Sequence, residues 1–508
     1  MFPAHTSLLR ASIFILFFPF AFAAFSQKEV KLYEKGQENL VAHRYTEAYN
    51  YFLFANEINP GFEDLKYKLE LTALLSGQGD EESIDKILAF EDTYGQKDDH
   101  YYYWVGQIEL RRYELNKAVA AFEKFKQKVA FVGNSEKASL EMIDHVDQLK
   151  AYFDNPDNYE IHQLESPVNS KGAELSPAYF DKTKELLFAS DRNGSGETPF
   201  KIYYTKRGAN GWEKATEVKN LGNFSRSNAN VEVVNEDGKL FLFREDNGGD
   251  IFYSQPSGDN WTTPVEFDAR ISNNHLASHF FINQHEDRII FASDEKGAGL
   301  DLYESFRDPD NDKWSRPSPF ALELNSDFDE DSPYLSDDEH TLYFSSNRPG
   351  GVGGFDVYVS HFDDATLKWS EPENMGWPIN SPNDELHFKM DADGTSGYFV
   401  SDRLHSQGSY DIYFFWEVEK VAVEGRIFDR KSNGPLQNAE IRFHPSQYSD
   451  EYFSSKIDNT GRYRTDIISD EIFKVEIIQA NKVIFEDRFE IHDTSGTPTT
   501  HIKDFSVN

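Results

Sequence analysis

Five times between residues 159 and 417 the chain repeats one order of strand, polar turn, strand, turn and strand. The clearest copy is Ser332-Pro-Tyr-Leu-Ser-Asp-Asp-Glu-His-Thr-Leu-Tyr-Phe-Ser-Ser-Asn-Arg348, then a glycine-rich turn, Phe355-Asp-Val-Tyr358 and Trp369. Apolar residues alternate within each short run, and Gly, Asn and Asp separate the runs, which is how half-buried strands and tight turns read. Leu187-Phe-Ala-Ser-Asp-Arg192 leads likewise to Ile202-Tyr203 and Trp212, Leu240-Phe-Leu-Phe243 to Asp250-Ile-Phe252 and Trp261, Ile290-Phe-Ala-Ser-Asp294 to Asp301-Leu-Tyr303 and Trp314. Tyr398-Phe-Val-Ser-Asp-Arg403 leads to Asp411-Ile-Tyr413. The equivalent aromatics at 203, 252, 303, 358 and 413 are 49, 51, 55 and 55 residues apart. A fifty-residue unit of three or four strands cannot bury its faces alone, so repetition at this period predicts the radially packed blades of a β-propeller.

The linkers repeat as well: Asn169-Ser170, Asn325-Ser326 and Asn380-Ser381 stand at matching distances before their copies. The chain leaves the repeat soon after Tyr413, so residues 159–164 are expected to supply the outer strand of the last blade and close the ring, which removes exposed sheet edges. Five blades are predicted; a sixth stays open only if residues 145–156 hide a weak copy. Asp191, Arg192, Asp294, Asn347, Arg348, Asp402 and Arg403 fall where a strand enters a glycine loop. They are the candidate partner-binding residues, as a charged ring on one face; the alternative is that each pair fixes its own turn through side-chain to backbone hydrogen bonds. The four tryptophans are expected between blades.

On either side the pattern changes. Over residues 27–150 the periodicity is helical, and Gly36, Ala48 and Phe52 recur at the same spacing as Gly106, Ala118 and Phe122. Small residues at such positions let antiparallel helices approach while the Phe fills the groove. This resembles the tetratricopeptide repeat, with a degenerate middle unit, and the resemblance implies a peptide-binding surface. Residues 419–508 carry about seven short strands with a tight turn at Asp458-Asn-Thr-Gly461, which predicts a β-sandwich resembling the carboxypeptidase regulatory-like, transthyretin-like domain. The expected fold is therefore multidomain α + β: a tetratricopeptide-like helical array (27–150), a five-bladed propeller (158–417) and a transthyretin-like sandwich (419–508).

Residues 1–26 read as an export signal. Arg10 precedes an apolar run of about twelve residues, too short for a permanent span, and cleavage is expected before Gln27. No later segment is apolar enough to span. The 51 basic residues against 88 acidic ones give a net charge of −37, which excludes an electrostatic nucleic-acid binder. No cysteine is present, hence no disulfide, thiolate metal site or thiol nucleophile.

A nucleophile elbow, phosphate loop, dinucleotide fingerprint and metal-binding helix motif are all missing from the sequence. The acidic run Asp327, Asp329, Glu330, Asp331 and the turn Asp391-Ala-Asp-Gly394 read as solvated turns, and His279, His285 and His387 show no recurrent metal spacing. No catalytic residue, cofactor or metal is expected.

The motif Phe344-Ser-Ser-Asn-Arg348 with Asp356-Val-Tyr358 resembles the propeller repeats of the periplasmic TolB-like group. The whole order resembles the OmpA-family multidomain envelope proteins of the Bacteroidota, including the peptidoglycan-associated component of type IX secretion. Those relatives typically end in an OmpA-like domain that grips peptidoglycan, and many are lipoproteins. This sequence shows neither feature, so peptidoglycan contact is not expected. The resemblance implies a non-enzymatic periplasmic or outer-membrane-associated adaptor, with envelope or secretion-complex proteins as partners. A glycan- or peptide-binding propeller is the first alternative, and a hydrolase or lyase built on propeller carboxylates the second.

Overall fold

The structure, a computed structural model, describes residues 27–507 apart from 42–43, 61–62, 77–80, 96–97, 99, 130–134, 155, 181–182, 193–199, 209–210, 220, 222–229, 235–238, 245–249, 259, 269, 272–278, 296–298, 312, 322, 392–393, 419, 433, 446–451, 470–471, 481 and 492–499. The expected export signal and the middle of the Asp391–Gly394 turn lie outside these. The chain divides into two compact units: residues up to 157 with 161–415, and 158–160 with 416–508.

The first unit opens with helices α1 (Gln27–Val41), α2 (Tyr45–Ile58), α3 (Glu63–Leu75), α4 (Glu81–Ala89), α5 (Glu91–Tyr94), α6 (Tyr101–Arg111), α7 (Leu115–Val129) and α8 (Ser135–Asp154). α1 packs on α2 and α6 on α7 with a small residue of one helix facing an aromatic ring of the other. A Cβ on Gly36 would lie 2.5 Å from the Phe52 ring, and one on Gly106 would lie 2.4 Å from the Phe122 ring. Both rings are fully buried. Of residues 145–156, where the sequence leaves room for a sixth blade, 145–154 form the second half of α8, with Val146 and Leu149 three apart and buried against Ala118 and Phe122. That reading is corrected: the spacing serves a helix–helix contact.

Five antiparallel sheets follow among the described residues. Their first strands are Glu174–Phe180, Asn230–Val234, Phe280–Ile282, Glu330–Leu335 and Glu385–Met390. Each first strand lies against the next, and Glu385–Met390 lies against Glu174–Phe180, so the middle of the chain is a closed β-propeller. The fifth sheet is completed by Tyr159–Gln163 beside Asp411–Glu417. Trp212, Trp261, Trp314 and Trp369 each pack in an apolar cluster that draws on two adjacent sheets.

The helices meet the propeller through an aromatic joint. Trp377 lies 5.2 Å from the Tyr113 ring and 4.6 Å from the Phe153 ring, both edge-on. Val352, in the loop between the second and third strands of the fourth sheet, is buried in the same cluster as Leu110, Phe122 and Leu149. Edge-to-face pairs of this kind add about 0.5–1.5 kcal/mol each beyond their buried area.

The second unit has two sheets. Lys420–Asp429 pairs with Arg462–Ile468 and, in parallel, with Thr500–Ile502 and Phe505–Val507. Ala439–Pro445 pairs with Phe453–Lys456 and Ile472–Gln479, which pairs with Lys482–Glu490. One core joins them, with Val423, Ile427 and Tyr463 from the first and Ile441, Phe443 and Val475 from the second. Gly461 has φ +79° in the turn, where the Asp458 carboxylate accepts the Thr460 and Arg462 N–H groups at 2.8 and 2.9 Å.

Candidate functional site

The Asp/Asn–Arg pairs enter internal bonds. In the fifth sheet Arg403 donates to Pro378 O at 3.1 Å, Ile379 O at 2.6 Å and Glu385 Oε1 at 3.0 Å, while its plane lies about 5 Å from the Phe399 and Tyr413 rings. Glu385 also accepts the Ser381 and Ser401 hydroxyls at 2.5 and 2.7 Å. The same latch recurs with Arg192, Glu174, Ser170 and Ser190 in the first sheet, and with Arg348, Glu330, Ser326 and Ser346 in the fourth. Arg192 reaches Pro167 O and Val168 O, and Arg348 reaches Leu324 O. Each arginine thus ties the linker entering its blade to that blade's own first two strands. Burial pushes all three glutamate carboxyls up, against the pull of the hydroxyls and the arginine.

The residue before each arginine holds the first strand. Asp191 accepts Ala173 N–H at 2.6 Å, Asn347 accepts Asp329 N–H at 2.9 Å and Asp402 accepts Asp384 N–H at 2.8 Å. Asp294 is exposed at the equivalent turn of the third sheet. The structure therefore brings six of the seven candidates into latches.

Three of the four acids at 327–331 are not part of a solvated turn. Asp329 accepts Leu300 N–H at 2.8 Å, Glu330 is the fully buried latch carboxylate, and Asp331, also buried, meets His279 Nδ1 at 2.6 Å. Asp329, Glu330 and Asp331 thus each have an internal partner, which sequence proximity could not reveal, while Asp327 stays exposed as a turn residue.

At the propeller's inner strands a polar cluster forms that sequence reasoning missed. Ser176, Ser332 and His387 occupy the same place, two residues after Glu174, Glu330 and Glu385, and each lies at a bulge with φ of 51, 49 and 52°. Non-glycine residues rarely adopt this conformation, and a bulge re-aims its side chain. Ser176 Oγ lies 3.2 Å from His387 Nδ1, and the His279 and His387 rings meet edge-on at 4.6 Å. Burial holds His387 neutral, its imidazole well below the usual range. His387 Nε2 and the buried Ser332 and Ser345 hydroxyls find no hydrogen-bond partner among the described residues. The signal was the alignment of the copies: Glu-Leu-Ser176, Glu-Asp-Ser332 and Glu-Leu-His387 share one column. Among the described residues no group of three or more His, Asp or Glu side chains is placed to hold a metal ion.

No family model and no curated protein sequence matches the chain. Solved structures similar in part include TolB from Acinetobacter baumannii, at 16% identity and TM-score 0.29 over 48% of this chain and 55% of that one, so about half its length is spanned. An endo-arabinase from Bacteroides thetaiotaomicron aligns at 15% identity and TM-score 0.33, covering 51% of this chain and 96% of the other. A putative TolB from Agrobacterium tumefaciens aligns at 14% identity and TM-score 0.32, covering 61% and 97%. Likenesses this small decide nothing about activity, and the propeller rests on the closed ring of sheets described above.

Proposed function

We propose that the protein is a non-enzymatic adaptor of the bacterial cell envelope, periplasmic or associated with the outer membrane. In this reading a tetratricopeptide-like array, a five-bladed TolB-like propeller and a transthyretin-like sandwich hold envelope proteins together, and outer-membrane or secretion-complex components are the partners to test first. The observation that carries it is the aromatic joint of Tyr113, Phe153 and Trp377. A repeat array fixed to a propeller presents two binding surfaces at constant geometry, which suits a scaffold. Val30, Phe54 and Ile58 on the first helical hairpin are large apolar side chains left 38–51% exposed, as at protein contacts. Affinity purification of the tagged full chain from mildly crosslinked envelope fractions should recover envelope proteins with it; recovery of the chain alone would count against the adaptor.

A ligand-binding propeller is the second reading, favoured by His387 Nε2 and the Ser332 hydroxyl on the inner strands, which find no hydrogen-bond partner among the described residues. It predicts a thermal shift of about 2–4 °C with an envelope saccharide, by mass action. The shift should vanish in His387→Ala, and an equal shift in that variant would move the ligand elsewhere. A glycosidase of the two-carboxylate type needs carboxyls about 5–10 Å apart. Asp331, bonded to His279, is the carboxylate that the described contacts bring to this cluster.

A further inference from the structure

The first and fifth sheets carry the same latch at a constant offset: Ser381 and Arg403 follow Ser170 and Arg192 by 211 residues each. Both serines bond their glutamate through N–H and hydroxyl, and both arginines lie over a tyrosine ring, Tyr203 in one and Tyr413 in the other. The loop that borders the seam also repeats. Val352 N–H donates to Asp356 beside the fifth sheet, and Gln407 N–H donates to Asp411 beside the first.

At the fifth-sheet seam this surface is occupied by Tyr113, from the turn after α6. Its ring packs on Trp377 and Phe153, with Ser381, Arg403 and Glu385 close enough to act on its phenol. Tyr113 holds φ of 60° to reach in, a conformation that a bulky residue adopts only when its surroundings enforce it. Burial pushes its phenol up to about 12, so it enters as a neutral hydroxyl.

At the first-sheet seam the corresponding surface is an open cleft of about 520 Å³, lined by Pro167, Ser170, Arg192, Tyr203, Lys214 and Gln407. Where the occupied seam has Trp377, Val352 and Pro382, the open one has Ser166, Gln407 and Lys171. Its walls are more polar, and two exposed lysines flank it. No ion pair holds Lys171 or Lys214 among the described residues, in a chain of net charge −37.

We infer that this cleft is a second tyrosine socket, which takes a tyrosine flanked by carboxylates from a partner polypeptide, as Tyr113 fills the equivalent seam from within. The phenol hydroxyl meets Ser170 and Arg192, the ring rests between Pro167 and Tyr203, and the lysines meet the flanking acids. The inference rests on the adaptor reading only in making the occupant a polypeptide. The cleft can fail its test while co-purification succeeds, and the reverse.

The test uses the full mature chain and two probes, the peptides acetyl-Glu-Asp-Tyr-Glu-Asp-amide and its Phe counterpart, followed by saturation-transfer NMR. The Tyr peptide should bind with Kd of about 0.1–1 mM, and the Phe peptide about threefold to tenfold more weakly, since the socket's hydroxyl contacts go unmade. Gln407→Trp, at an exposed position, should weaken the Tyr peptide at least about tenfold by filling the cleft. Lys171→Glu with Lys214→Glu should weaken it about threefold or more and remove its salt dependence. Unchanged melting temperatures confirm that these variants fold. Equal binding to Gln407→Trp, or no saturation by about 5 mM peptide, would overturn the socket. Self-association abolished by Gln407→Trp would overturn the foreign partner by seating a second copy in the cleft.

Discussion

Arg403→Ala is expected to destabilise the propeller by about 3–5 kcal/mol, the usual cost of removing one partner from a buried ion pair. The Glu385 side chain is fully enclosed and that of Arg403 only 8% exposed. Without the guanidinium, the carboxylate keeps the hydroxyls of Ser381 and Ser401 and the Ser381 N–H, while Pro378 O and Ile379 O lose their donor. The contact with the Phe399 and Tyr413 rings is lost too. Arg403→Lys should recover little, because an ammonium cannot reach two carbonyls and a carboxylate in one plane. Arg192→Ala and Arg348→Ala should cost less, since those side chains are 13% and 16% exposed. Denaturant unfolding followed by tryptophan fluorescence would measure the series. A loss below about 1 kcal/mol for Arg403→Ala, the range of a surface pair, would show that the latch does not hold the blade.

Asp402→Asn is expected to stabilise the protein at pH 8 and leave it nearly unchanged at pH 4. Burial, with the Asp384 charge next in order, raises the Asp402 carboxyl to about 7, against the pull of Arg111 and the Asp384 N–H. Its unfolded value is near 3.9. Between those values the folded chain holds a proton that the unfolded chain has released, so stability is fully present below about 4 and falls as pH rises through 7. Partial exposure of Asp402 reduces the effect, which leaves about 1–3 kcal/mol. The fourth sheet shows why asparagine fits: Asn347 accepts Asp329 N–H and donates Nδ2–H to Asp329 Oδ2 at 3.0 Å. Asp402 can donate to its neighbour only while protonated. Melting temperatures from pH 4 to 9 should fall more steeply for the parent than for the variant, with a gap of about 2–6 °C at pH 8. Parallel curves would show that Asp402 is ionised throughout.

The repeat period, the strand alternation and the glycine–phenylalanine pairs were legible in the chain because each is a local rule, repeated. A strand shows period two wherever one face is buried, and Gly36 and Gly106 announce a ring packed on the backbone. The latch residues were legible as a column, and their turn-fixing role was one of the two readings that column allowed. The linker repeat likewise pointed to residues 159–164 as an outer strand before any sheet was in view.

What the column could not say is which atoms meet. His279, just before the third sheet's first strand, and His387, in the fifth sheet, are 108 residues apart, yet ring closure brings their rings within 4.6 Å. Asp329, Glu330 and Asp331 looked alike in sequence and separated into three environments once each found a different partner. The two seams read as copies, and only folding placed Tyr113 in one and left the other open. Sequence thus determined the unit and its order, because propensity and patterning act over a few residues. The joint, the buried polar cluster and the open cleft were decided by the tertiary structure, because they depend on where the closed ring and the packed helices bring distant side chains together.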